Sequence, residues 1–201
     1  MLRSILLVTV VVVGCSGRGR SAAVSNDTPT ATPIDGADPA TDTAQGSPDM
    51  NPRVRSGPIP ADLDPRWNSR DRDPLAPAAL VKFQSLGRLS PATNHRFVLH
   101  QDGSLYHAAH TGKNTNARIL YDTPLPATPT RQVSAATVSK VEKQLRKDRF
   151  LDQPPYQVDP QVEDGSLYVV TVRLDGKEHE VIYDRYAPPL VELLELVASG
   201  K

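Results

Sequence analysis

Four of the five histidines, His95, His100, His107 and His110, lie close together in one stretch of the chain. Imidazoles at such short range are what zinc or copper ligation requires. The remaining chemistry-bearing patterns are incomplete. His179-Glu180 begins like a zinc-protease helix, but Tyr183 stands where the second histidine is needed. Ser104 and Ser166 lie in turn contexts with no base nominated beside them, and no Gly-x-Ser-x-Gly elbow is present. Neither a phosphate loop nor a dinucleotide fingerprint occurs, so no cofactor is expected. The single cysteine, Cys15, excludes an internal disulfide framework and any multi-cysteine metal site.

What the histidines can do depends on the elements that hold them. His95 to Gln101 and Ser104 to His110 are β-rich runs joined by Asp102-Gly103, which predicts a two-residue type I′ hairpin turn. That register sets His95 opposite His110 and puts Phe97, Leu99, Tyr106 and Ala108 on one face, with His100 and His107 diagonal on the other. Either pair could ligate zinc or copper, and His95 and His110, with Cβ atoms about 5 Å apart, are the candidates carried forward. The sequence nominates no third ligand. The competing reading is a cross-strand polar pair at the open end of the hairpin.

The C-terminal half repeats the device. Leu167 to Leu174 runs into Asp175-Gly176 and returns as Lys177 to Asp184, which predicts one face bearing Tyr168, Val170, Val172, Val181 and Tyr183. Between the hairpins, Ser134 is an N-cap followed by Val138, Val141 and Leu145 at helical spacing, predicting a helix over 135–149 that Phe150 and Leu151 close against the core. A second helix is expected after Pro188-Pro189, with Leu190, Leu193, Leu194 and Val197 on one face and Gly200 at its end. Further strands are expected at Leu80 to Leu86 and Arg118 to Asp122. The sum is an α+β two-layer sandwich, two helices on an antiparallel sheet of four to six strands, spanning 78–201. The first helix also carries Lys140, Lys143 and Lys147 opposite its apolar stripe, a pattern that normally marks a solvated face.

Upstream, residues 16–77 hold ten of the 19 prolines, no lysine and no glutamate, with seven arginines against nine aspartates. Such a stretch cannot bury enough apolar surface to offset its ordering entropy, so it reads as a disordered tether. Trp67 is its one large aromatic residue, able to dock on the domain or on a partner. Over the whole chain 23 basic residues balance 23 acidic ones, which leaves no electrostatic case for nucleic acid.

Residues 1–15 begin with Arg3, continue as an apolar run from Ile5 to Val13 and end Gly14-Cys15. The run is too short to span a bilayer core of about 30 Å and has the layout of a secretory signal. Val12-Val13-Gly14-Cys15 resembles the lipobox of bacterial lipoproteins, with Val12 and Val13 where Leu and Ala or Ser are usual. The resemblance implies that Cys15 is acylated and becomes the mature N-terminus, so that the membrane is a partner through its acyl anchor. Ser16, in place of an aspartate, then implies the outer membrane in a diderm host. The alternative is a soluble secreted protein cleaved near Gly17 or Ala22.

Residues 80–199 taken as a hairpin, helix, hairpin and helix, with Asp164 before a strand and Pro189 before a leucine-rich end, resemble small bacterial lipoprotein and periplasmic domains of unknown function. Related domains often carry a cysteine pair before the first hairpin. This chain has Leu86-Gly87-Arg88-Leu89-Ser90-Pro91 there, so no redox or metal role follows. The expectation is an envelope-tethered lipoprotein with a non-catalytic binding or structural domain, whose partner could be another envelope protein. The alternative is a metal-binding protein or enzyme that uses the hairpin histidines.

Overall fold

The computed structural model describes residues 53–63, 67, 70–88, 90–113 and 120–201. The signal segment 1–15, Cys15 and the tether up to residue 52 lie outside the described residues. Among the described residues, eight strands form one sheet in the order β1-β6-β8-β7-β2-β3-β4-β5. They are β1 Arg55–Gly57, β2 Ala79–Leu86, β3 His95–His100, β4 Ser104–Ala109, β5 Arg131–Gln132, β6 Tyr156–Val158, β7 Leu167–Leu174 and β8 Lys177–Asp184. Helix α1 (Ala135–Lys147) lies between β5 and β6, and α2 (Pro189–Ser199) closes the chain. All neighbours are antiparallel except β6 and β8, which run parallel.

The α+β class stands, but the sheet is wider than the four to six strands expected. The additional strands β1, β5 and β6 are two or three residues long, too short to show any alternation in sequence. Part of the strand expected at 118–122 lies outside the described residues, and residues 120–122 belong to no strand. Leu120 is nevertheless buried, and its carbonyl accepts a hydrogen bond from Asn94 Nδ2 at 2.9 Å.

Both helices cover one face of the sheet. Ser134 caps α1 by accepting from the Thr137 amide at 3.2 Å, and Val138, Val141 and Leu145 are the helix's buried residues, as the periodicity requires. Residues Leu190, Leu193, Leu194 and Val197 of α2 join them over Phe83, Phe97, Leu99, Val170, Val172, Val181 and Tyr183. Gly200 ends α2 in the left-handed conformation at φ 77°, with its amide bonded to the Leu196 carbonyl. The one-residue register shift near Leu80 explains why consecutive Leu80 and Val81 both belong to this core.

The opposite face is covered as well. Trp67, Leu86, Leu120, Tyr156, Leu167, Val169 and Ile182 form a second apolar cluster there, with Leu63, Tyr121 and Val158 at its margin. Central strand β2 is therefore buried along its whole length, including Lys82 and Gln84. Much of the cover comes from chain that the composition assigns to the tether. β1 pairs with β6 at the sheet edge, and residues 70–77, the strap, contribute buried Leu75. A boundary at residue 78 thus leaves out part of the fold. Proline excludes helix and central strand from this stretch, but it does not stop an extended segment from lying across a sheet.

Candidate functional site

The two Asp-Gly dipeptides make different turns. At Asp175-Gly176 both residues have positive φ, 51° and 75°, and Leu174 pairs with Lys177, the type I′ arrangement expected. At the first hairpin only Gly103 does, at φ 86°, and the Gly103 amide bonds back to the His100 carbonyl at 3.0 Å. Asp102 uses its carboxylate to accept from the Ser104 amide at 2.8 Å. The loop is thus three residues long with Gly103 as a left-handed bulge, and Leu99 pairs with Leu105. Gly103 is fixed from outside: its carbonyl accepts from the Val133 amide, and a Cβ at Gly103 would stand 2.3 Å from the Val133 carbonyl oxygen.

This one-residue slip redistributes the histidines. His95 pairs with Ala109 and Phe97 with His107, so Leu105 and His107 replace Tyr106 and Ala108 on the helix side. His95 and His110 do not come together. His95 lies under α2, its Nε2 3.0 Å from a Glu195 carboxylate oxygen and its Nδ1 3.4 Å from the Thr93 carbonyl. Its ring is 5.7 Å from that of His107 and 5.9 Å from Phe83, which in turn stacks on Tyr168 at 6.0 Å. His107 is half-buried, and burial, then the charges of His95 and Arg131, push its pKa down against the smaller opposing effect of Glu195. The carboxylate of Glu195 also borders an open groove of about 490 Å³ lined by Tyr168, Ala187, Val191 and Leu196.

His110 belongs to the other side. Its Nδ1 accepts from the Gly112 amide at 3.0 Å and lies 3.7 Å from the Asp122 carboxylate, which Thr111 holds through its amide and hydroxyl. A neutral ring with an accepting Nδ1 carries its proton on Nε2, which is buried without a hydrogen-bond partner among the described residues. His100 packs on Tyr106 at 4.9 Å, and His179 bonds the Gln153 carbonyl at 2.9 Å. No group of three or more metal-ligating side chains suited to a metal ion occurs among the described residues.

The densest polar cluster is one the sequence reading misses. Under the strap, the Asp71 carboxylate lies 3.1 Å from Arg96 and 3.7 Å from Lys82, with side chains of all three largely closed to solvent. Lys82 Nζ donates to the carbonyls of Asp71 and Asp73. Gln84 accepts from the Asp71 amide at 2.8 Å and from the Tyr121 hydroxyl at 3.2 Å, while its own amide donates to the Asp71 carbonyl at 3.0 Å. Burial raises the Tyr121 pKa, so its hydroxyl stays protonated as that donor. Arg70 lies flat over Trp67 at 3.4 Å and pairs with Glu180, which accepts from Thr171 at 3.0 Å. The signal available in sequence was Lys82 and Gln84 alternating inside a mostly apolar strand. Nothing local says that a distant segment covers them.

Chemically, this arrangement binds the strap to the sheet, with Asp71 shared between Lys82 and Arg96 and with strap carbonyls accepting from Lys82. Ser85 pairs in register with His95, yet both ring nitrogens of His95 face other oxygens, so neither is directed at the Ser85 hydroxyl. At the sheet end, Asp184 receives Arg88 at 2.6 Å and the Tyr156 hydroxyl at 2.8 Å, another closed pairing. Among the described residues, no helix is long and apolar enough to cross a membrane. Comparison with family models, curated proteins and solved structures found no match for this chain.

Proposed function

We propose that this chain is a lipid-anchored protein of the bacterial cell envelope whose domain is a non-catalytic binding or structural module. The observation that carries the reading is the position of Cys15: the only cysteine in the chain ends an apolar run behind a small residue. Acyl chains contribute about 0.8 kcal/mol per buried methylene, so several on one cysteine make attachment effectively permanent. Residues 16–52 then link the anchor to Arg53, and Ser16 after the cysteine favours the outer membrane in a diderm host.

The use of the polar groups supports the non-catalytic part. Lys82, Asp71, Arg96 and Gln84 join strap to sheet, and His95 and His110 each have partners within the fold. The partner on this reading is another envelope component.

Detergent-phase partitioning tests the anchor. The native protein should enter the detergent phase, and Cys15→Ser should leave it in the aqueous phase. Equal partitioning of the two contradicts the reading. Metal analysis of the full-length protein tests the module: one equivalent of zinc or copper that disappears in His95→Ala would instead support the metal-binding alternative.

A further inference from the structure

The C-terminal half of α2 rests on β3, β4 and β5 through charged and titratable groups as well as apolar ones. Glu195 of α2 reaches His95 of β3 at 3.0 Å. His107 of β4 stands behind His95, ring to ring at 5.7 Å. Arg131 of β5 presses its guanidinium on the α2 cap so closely that a Cβ at Gly200 would lie 2.0 Å from Nη1. A cation there also faces the negative end of the helix dipole. The charged groups acting on His107 are His95, Arg131 and Glu195.

We propose that this seam is an acid-released clasp. With His107 neutral, His95 and Arg131 hold Glu195 and the α2 cap. Protonation of His107 adds a cation beside Arg131 in a partly buried space whose one carboxylate, Glu195, is already in contact with His95, and the C-terminal half of α2 loosens from the sheet. The loosened turns include Glu195, Leu196 and Ser199, which line the groove along α2, so acid reshapes that groove too.

The sign follows from His107. Burial first, then His95 and Arg131, hold its pKa below the ordinary histidine value of about 6.5. A group depressed on folding stabilises the native state above its unfolded pKa, and that stabilisation is lost as pH falls through the lower native value.

Hydrogen exchange on the full-length protein, corrected for intrinsic rates, tests the clasp. From pH 7.5 to pH 5, protection of the amides of Leu194 to Val197 should fall at least about tenfold relative to Val170 and Val172 in β7. His107→Gln should abolish that selective fall, and His100→Gln, on the other face, should retain it. Should His107→Gln fail to fold, Arg131→Gln decides: with one of the cations that depress His107 gone, the fall must shrink and its midpoint move to higher pH. Uniform loss along the chain, an unchanged fall in His107→Gln, or an unmoved midpoint in Arg131→Gln overturns the proposal.

Discussion

Arg96 of β3 lies 3.1 Å from the carboxylate of Asp71 on the strap, and Lys82 approaches the same carboxylate at 3.7 Å from the neighbouring strand β2. Two cations from the sheet thus converge on one anion from a segment rich in proline. Removing one member of a buried group leaves its partners uncompensated, which costs about 3–5 kcal/mol. Asp71→Ala should approach that figure in urea denaturation. Lys82→Met keeps the stem and removes the charge, while Asp71 retains Arg96, so its loss should be smaller. Equal midpoints for the two variants would mean that solvent, not Asp71, compensates Lys82.

Covering on both faces alters what substitutions in β7 should do. Val172 lies in the helix-side core, and Thr171, on the other face, is also buried with its hydroxyl on Glu180. Val172→Asp places an unpaired carboxylate among apolar groups and should cost several kcal/mol. Thr171→Asp sets a second carboxylate against Glu180 and should cost more than about 1 kcal/mol, whereas Thr171→Val loses about one hydrogen bond's worth, near 1 kcal/mol. A negligible loss in Thr171→Asp, measured by thermal melting, would place that face in water.

Gly103 and Gly176 both have positive φ, yet they differ in surroundings. At Gly176 a Cβ meets nothing within 4 Å, whereas at Gly103 it would stand 2.3 Å from the Val133 carbonyl oxygen. Gly176→Ala should therefore show only the left-handed penalty, about 1–2 kcal/mol. Gly103→Ala should lose clearly more, because the chain leading into α1 must also move. Similar melting points for the two would contradict the close approach.

These glycines also show where the sequence was readable. The second hairpin was legible, since β7 and β8 alternate for eight residues each and Asp175-Gly176 makes the turn its type favours. Both helices were legible from the Ser134 cap, the proline start, the Gly200 stop and the apolar spacing. The first hairpin slipped by one residue because its turn is decided by Val133, thirty positions on, and by Asp102 taking the Ser104 amide. With the register went the site: His95 met Glu195 and His107 in place of His110. The strap was illegible for another reason. Its composition argues against regular structure, and it has almost none, but Leu75 and the Asp71 carboxylate attach it to the face of β2 that carries Lys82 and Gln84.

The same attachment predicts the effect of truncation. A fragment of residues 53–201 keeps Trp67, Leu75 and β1, while 78–201 uncovers Leu86, Val169 and Ile182 and orphans Lys82. The shorter fragment should melt at lower temperature and bind a hydrophobic dye that the longer one does not. Trp67→Ala in the full chain should lose about 3 kcal/mol, the usual cost of deleting a buried aromatic side chain. Identical melting of the two fragments would return the domain boundary to residue 78.

The central claim, anchoring through Cys15, is tested most directly by the intact mass of the mature protein isolated from its host's envelope. The mature chain should begin at Cys15 and be heavier than residues 15–201 by its acyl groups. A chain that retains residues 1–14, or one that begins at another position or carries a free Cys15 thiol, would contradict it.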